Sequence, residues 1–430
     1  MMMPYSEYKD SKLDWLGNIP SHWDLVKLGA CFKERNEKVS DKDFAALSVT
    51  KNGILPQMEH VAKTDAGDNR KKVCIGDFVI NSRSDRKGSS GTSDYDGSVS
   101  LISIILEPRL YEPRFAHHLL RSYNFQEEFY KYGKGIVADL WSTRYSDMKN
   151  IFVPLMPIAE QKAIATFLDR ETLRIDSLIE EKETFIKLLK EKRQALISHV
   201  VTKGLNPNVE MQDSGIEWIG QVPKHWGISK VRYLGQCQNG INIGGEFFGH
   251  GTPFVSYGDV YNNTSLPEKV QGLVLSTEKD RDNYSVIAGD VLFTRTSETI
   301  EEIGFSAVCK STIEQAVFAG FLIRFRPDEG NLEVGFSEYY FRNEKLRAFF
   351  AKEMNLVTRA SLSQDLLKKM PVLLPPIDEQ NEIANYLQAE CNKFSEIFAE
   401  TEKTILLLKE RRTSLISAAV TGKIDVRETV

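Results

Sequence analysis

No apolar run in the sequence approaches the ~18 residues that a membrane-spanning helix needs. The opening stretch MMMPYSEYKDSK has neither an apolar h-region nor a small-residue cleavage site, so neither membrane insertion nor secretion is expected. The five cysteines (Cys31, Cys74, Cys237, Cys309 and Cys391) are odd in number and nowhere in CxxC spacing. That speaks against a disulfide framework or structural zinc and for a reducing cytoplasm, each thiol serving as a small buried hydrophobe. Excess positive charge is also missing. A net charge of −5 argues against a generic nucleic-acid coat, while leaving room for DNA binding through local basic loops. Catalytic signatures are absent as well: GINIGGEFFGHG (Gly240 to Gly251) lacks the Lys-Ser/Thr of a phosphate loop, and there is no HExxH or GxSxG. His117 and His118 are adjacent on a predicted helix, where their rings diverge, so a metal pair is not expected there.

The chain does contain a duplication. DWLGNIPSHWDL (Asp14 to Leu25) returns as EWIGQVPKHWGI (Glu217 to Ile228), 203 residues later. PIAEQKAIATFL, from Pro157, returns as PIDEQNEIANYL, from Pro376, at an offset of 219 that continues through LLKEKRQALISHVVT and LLKERRTSLISAAVT. The second copy therefore carries 16 net extra residues in its middle. The flanks match, and the interiors differ in length and content.

The back of each copy reads as one long helix, with proline at its start and Glu160 or Glu379 in the first turn, where a carboxylate meets the positive helix end. Seven-residue spacing places Leu168, Ile175, Leu189 and Leu196 on one row, with Ile164, Leu178 and Phe185 on a second. The other copy gives Leu387, Phe394, Leu408 and Leu415, with Ile383 and Ile397. This pattern predicts a coiled-coil seam. Both helices stop at a glycine suited to a left-handed cap, in TKG and TGK. At ~1.5 Å per residue, about 44 residues make a rod of roughly 65 Å. The order globule, rod, globule, rod predicts an α+β protein whose two rods pair antiparallel with a globule at each end. The expected boundaries are 1–156, 157–204, 205–375 and 376–425.

The globules mix short strands with helices, and each holds a Gly-Asp turn entering a strand: GDFVINSRS from Gly76 and GDVLFTRTS from Gly289. Basic and hydroxyl residues crowd the loops that follow. Arg and Lys reach guanine edges or phosphates, and hydroxyls take phosphates. Matching flanks around non-matching loops are what two related modules reading two different things would show.

These motifs, in this order and doubled, resemble the specificity subunits of type I restriction–modification enzymes. The resemblance rests on W-[LI]-G-x-[IV]-P-x-H-W, the Gly-Asp strand, P-I-x-E-Q-x-x-I-A-x-[FY]-L and the two helix endings, and it covers essentially the whole chain. It implies a non-catalytic reader of double-stranded DNA with two target recognition domains separated by two spacer helices. Each domain would read half of a bipartite, asymmetric site, with half-sites about one helical turn apart, ~34 Å. Two methyltransferase subunits would bring S-adenosylmethionine, and restriction subunits would bring ATP- and Mg²⁺-dependent cleavage. Position within the motifs nominates Arg83, Ser84, Arg86, Lys87, Ser89, Ser90 and Thr92 in the first copy, and Thr294, Arg295, Thr296 and Ser297 in the second. Lys51, Asn52, Lys134, Arg144, Asn242, Tyr257 and Arg359 form a second rank. A coiled-coil protein-binding scaffold without DNA preference is the competing reading.

Overall fold

The computed structural model describes residues 3–57, 69–83, 87–135, 141–297, 302–353 and 360–427. The chain divides into two compact units, Met1–Glu183 with Glu402–Val430, and Thr184–Thr401. Two long helices, Ile158–Lys203 and Ile377–Val420, each contribute one half to either unit.

The first unit is organised on a four-stranded antiparallel sheet in the order Ser90–Thr92, Phe78–Asn81, Ser103–Pro108, Phe32–Glu34. Side chains alternate across a strand, and the two faces serve different cores. Phe78, Ile80, Ile104 and Leu106 enter the main core, whereas Val79 and Ile105 face a smaller cluster with Leu47, Ile54, Val73 and Val99. Burial on both faces explains why Phe78 to Ile80 is an unbroken apolar run. Phe115 and Leu119 of the helix Pro113–Arg121 cover the main core, together with Ile164 and Leu168 from the first long helix and Ala419 and Val420 from the second.

The second unit repeats this plan. Gly235–Asn239, Leu322–Pro327, Val291–Thr294 and Ser306–Val308 form a four-stranded sheet whose order, read from the other edge, is the same. Val291, Phe293, Ile323 and Phe325 face the main core, and Leu292 and Leu322 face the smaller one. Val200 and Val201 from the first long helix and Ile383 and Leu387 from the second close it. The strand after each opening motif also pairs with the strand before each long helix: Asp24–Lys27 with Phe152–Leu155, and Gly227–Lys230 with Pro371–Leu374. The side sheets differ. Gly97–Val99, Arg70–Val73 and Lys38–Val39 make the first unit's antiparallel one, while Phe248–Val255 pairs parallel with Val317–Phe318 in the second.

Within the first unit the long helices run antiparallel: Arg412 bonds Asp176 at 2.8 and 3.1 Å, and Lys409, earlier on its helix, lies 3.7 Å from Glu183, later on the other. Within the second, Arg193 sits over the Phe398 ring at 5.3 Å. Ile164, Leu168, Ile175, Ile383, Leu387 and Phe394 are buried, and Leu178, Leu189, Leu196, Leu408 and Leu415 are half-buried. Phe185 and Ile397 correct the expected seam, being 42% and 41% exposed. The second row lies one residue later, through Thr172, Ile179, Ile186, Phe398, Ile405 and Arg412, at i+4 from the first row. Leu178-Ile179, Phe185-Ile186 and Ile397-Phe398 are apolar in both registers, so spacing alone did not separate them; packing selects the later one. The seam threonines Thr172 and Thr401 stay satisfied by donating to Leu168 O and Ile397 O, both at 2.7 Å. Both helices end on left-handed glycines, Gly204 (φ +75°) and Gly422 (φ +73°). Among the described residues no helix is long and apolar enough to cross a membrane, and the five cysteines are free thiols.

Candidate nucleic-acid interface

The two repeated motifs bond each other, and this fixes where each loop region begins. Glu160 of the first PIxEQ accepts from Tyr5 Oη at 2.8 Å, Trp23 Nε1 at 2.9 Å and His22 Nε2 at 2.8 Å. Glu379 accepts from Trp226 Nε1 at 3.0 Å and His225 Nε2 at 2.7 Å. The adjoining glutamine reaches the other way. Gln161 Oε1 accepts from Glu112 N at 2.8 Å, and its amide donates to Leu110 O and Met156 O. Gln380 repeats this with Glu333 N, Asn331 O and Pro375 O. Each Glu112 or Glu333 carboxylate then caps the helix that covers the sheet. The tryptophan and histidine of the opening motif thus pin the chain entry to the long helix.

The Gly-Asp turn is a second brace. Asp77 receives Arg35 Nε at 2.7 Å and Cys74 N at 2.8 Å, while Asp290 receives Arg326 Nε and Nη2, each at 2.7 Å, and Ile287 N at 2.9 Å. The strand leaving this turn carries the chain to one end of the sheet, where the loop starts.

In the first unit, Arg83 is exposed and bridges to Ser142, which pairs in turn with Lys134. Thr143 N donates to Ser82 O at 2.9 Å, and exposed Arg144 follows. The structure therefore gathers Arg83, Lys134 and Arg144, although Lys134 Nζ is paired with Asp147 at 2.9 Å. A second group forms at the hairpin tip and the loop's returning end. Lys51 and Asn52 are exposed there, and exposed Lys87 pairs with Glu127. Ser89 and Ser90 are corrections: at 6% and 1% exposure both are buried rather than on the surface, because the strand they enter is packed between its sheet neighbour and the hairpin. Thr92 spends its hydroxyl on Pro113 O at 3.0 Å. Ser84 and Arg86 lie outside the described residues.

In the second unit the same end of the sheet gathers exposed Asn242, half-buried Tyr257, Arg295 and Thr296. Leu362 N donates to Arg295 O at 2.7 Å, Arg295 N to Phe321 O at 2.9 Å, and Tyr257 Oη to Thr296 O at 2.9 Å. Thr296 and Ser297 pair with Ser361 and Ala360, as Arg83 pairs with Ser142. Thr294 is fully buried, being the last residue of the central strand, and this corrects its expected surface role. Arg359 lies outside the described residues. Sequence reasoning passed over Ile102 and Phe321, which occupy matching positions just before the paired strand and are 42% and 64% exposed. A large apolar side chain beside basic residues suits a thymine methyl or a base step. The only advance signal was an apolar residue immediately outside a strand.

The profile of the type I restriction modification DNA specificity domain matches residues 238–406. The chain is similar to the type I restriction enzyme EcoKI specificity subunit of Escherichia coli K12, 24% identical over 83% of this chain and 76% of that one. It is 22% identical to the putative type I restriction enzyme MjaX specificity subunit of Methanocaldococcus jannaschii, over 99% of both chains. Among solved structures, a chain of a type I R-M system superposes with a TM-score of 0.72 at 16% identity, covering 94% of this chain and 98% of that one. The HsdS subunit of Thermoanaerobacter tengcongensis gives 0.57 at 18%, with the same coverage. These two likenesses speak to the fold.

Proposed function

We propose, for a chain that belongs to the specificity-subunit family of type I restriction–modification enzymes, that each unit reads one half of a bipartite, asymmetric DNA site. The observation that carries this reading is one sheet, braced twice by the same latch and the same Gly-Asp turn, ending in loops that do not match. A common scaffold with two different tips reads two different half-sites. Arg83, Lys134 and Arg144 serve the first half, and Asn242, Tyr257, Arg295, Thr296 and Ser297 the second. Lys51, Asn52 and Lys87 hold the backbone beside the first. Arginine forks suit guanine edges, and the backbone and hydroxyl donors suit phosphates.

The functional divisions are recognition domains at 1–156 and 205–375 and spacer helices at 157–204 and 376–425. The chain performs no chemistry of its own. It works in the cytoplasm, positioning two methyltransferase subunits that hold S-adenosylmethionine, together with restriction subunits that use ATP and Mg²⁺. Mapping methylated adenines in cells with and without this gene tests the reading. A two-part motif with a fixed gap, lost on deletion, is expected. A continuous palindrome, or no motif that depends on the gene, refutes it and favours a protein-binding scaffold.

A further inference from the structure

A cavity of about 460 Å³ lies in the first unit between the helix Pro113–Arg121 and the second long helix, and Lys87 and Gly88 of the recognition loop line it. Among the described residues its cations are Lys51, Lys87, Arg121 and Arg412, and no carboxylate lines it. Arg412 is balanced by Asp176 and Lys87 by Glu127. Neither Lys51 nor Arg121 has a carboxylate within ion-pair distance among the described residues. The second unit has the corresponding cavity, with Arg342 and Arg193 in place of Arg121 and Arg412, but Glu338 and Glu344 also line it. There Glu338 pairs with Lys310 at 2.7 Å, and Arg342 donates to the backbone oxygens of Val260, Tyr261, Asn263 and Ser306. His117 stands in the first unit where Glu338 stands in the second, so one copy of the cavity sets carboxylates against its cations and the other, among the described residues, has cations alone.

His117 adds a second observation. Thr92 N–H points at Nδ1 from 3.2 Å, and a neutral imidazole has only one acceptor nitrogen. Arg121 Nη1, itself a donor, lies 3.0 Å from Nε2. Both ring nitrogens therefore face donors, and in either neutral tautomer one ring N–H meets another N–H. Protonating the ring would not remove the conflict, and burial and Arg121 push His117 down to about 3. An oxyanion in the cavity would give Arg121 the acceptor that the ring cannot supply to both donors.

We propose that this cavity is a phosphate-binding site, formed by Lys51, Lys87, His117, Arg121 and Arg412, which seats a backbone phosphodiester of the DNA beside the first recognition loop. The proposal rests on the DNA-reading assignment above. A free phosphate would be held by the same chemistry, and the two sources are separable. The full chain, co-purified with its methyltransferase subunit, is titrated with a duplex carrying the mapped site and with an unrelated duplex, between 50 and 200 mM salt. Lys51→Gln, a change at an exposed hairpin tip, and Arg412→Gln are compared with the parent. Inorganic phosphate at matched ionic strength, read as a thermal shift, is the second arm.

A seated phosphodiester predicts that each variant lowers the slope of log Kd against log salt by about one, and weakens both duplexes by the same few-fold factor. Unchanged slopes, with phosphate stabilising the parent but neither variant, assign the site to free phosphate and overturn the DNA seat. Unchanged slopes and no phosphate effect overturn the site altogether. A parent that does not prefer its mapped site refutes the DNA-reading assignment, while the phosphate arm still judges the cavity.

Discussion

Replacing Glu160 with alanine should destabilise the first unit more than Glu379→Ala destabilises the second, although both residues occupy the same motif position. Glu160 accepts from two buried donors, Trp23 (fully buried) and Tyr5 (4% exposed), as well as from His22. Glu379 accepts from one buried donor, Trp226 (3% exposed), and from His225, whose side chain is 45% exposed and turns to water at little cost. Each stranded buried donor costs about 1–3 kcal/mol. Glu160→Ala should therefore cost roughly 2–6 kcal/mol and Glu379→Ala roughly 1–3 kcal/mol. A single melting curve would blur two units, so the assay is native-state hydrogen exchange, followed separately on Phe78–Asn81 and Val291–Thr294. Sequence preference, measured on material still folded, should be unchanged in both variants. Equal losses of protection in the two units would refute the reasoning. So would altered DNA preference at full protection, which would make the latch part of the reading surface.

Other outcomes follow from the same geometry. Arg83→Ala should relax preference in one half of the site and Arg295→Ala in the other, each by about 1–3 kcal/mol; methylome mapping reads this, and loss in the same half for both would contradict the two-head assignment. Asp290→Ala removes two 2.7 Å bonds to Arg326, which keeps its bonds to Ser285, and takes the acceptor from Ile287 N, and should cost about 1–3 kcal/mol; no measurable loss in denaturant titration would show that the brace contributes little. His117 is pushed down to about 3, so between about pH 3 and 6.5 the unfolded chain binds a proton that the folded chain refuses, and stability rises with pH across that window. His117→Gln should flatten this part of the pH–stability curve of the first unit, and an unchanged slope would place the titration elsewhere.

Much of the architecture was legible because duplication gives the reader two samples of every framework position. The opening motif, the Gly-Asp turn and the PIxEQ helix stood out since each is held by contacts the fold needs twice: Trp and His on Glu, Gln on the helix cap, Asp on Arg. The loop residues were legible only by type. Arg83, Lys87 and Ser90 look alike in a basic, hydroxyl-rich string, yet one is exposed, one is paired with Glu127, and one is 1% exposed. Burial there depends on where the strand begins, and composition does not mark that residue.

The sequence by itself determined that the chain has two related halves, that each ends in a long amphipathic helix with a glycine stop, and that the middles diverge. Periodicity and repetition are local properties, and the chain carries them without a partner. Tertiary structure decided the register of the helix seam, because Leu178-Ile179 and Ile397-Phe398 are apolar either way and only packing distinguishes them. It also decided which serines and threonines are buried, and that His117 and Arg121 of one helix meet Arg412, from the far end of the chain, in one cationic cavity. Those are long-range facts, set by which surfaces exclude water together.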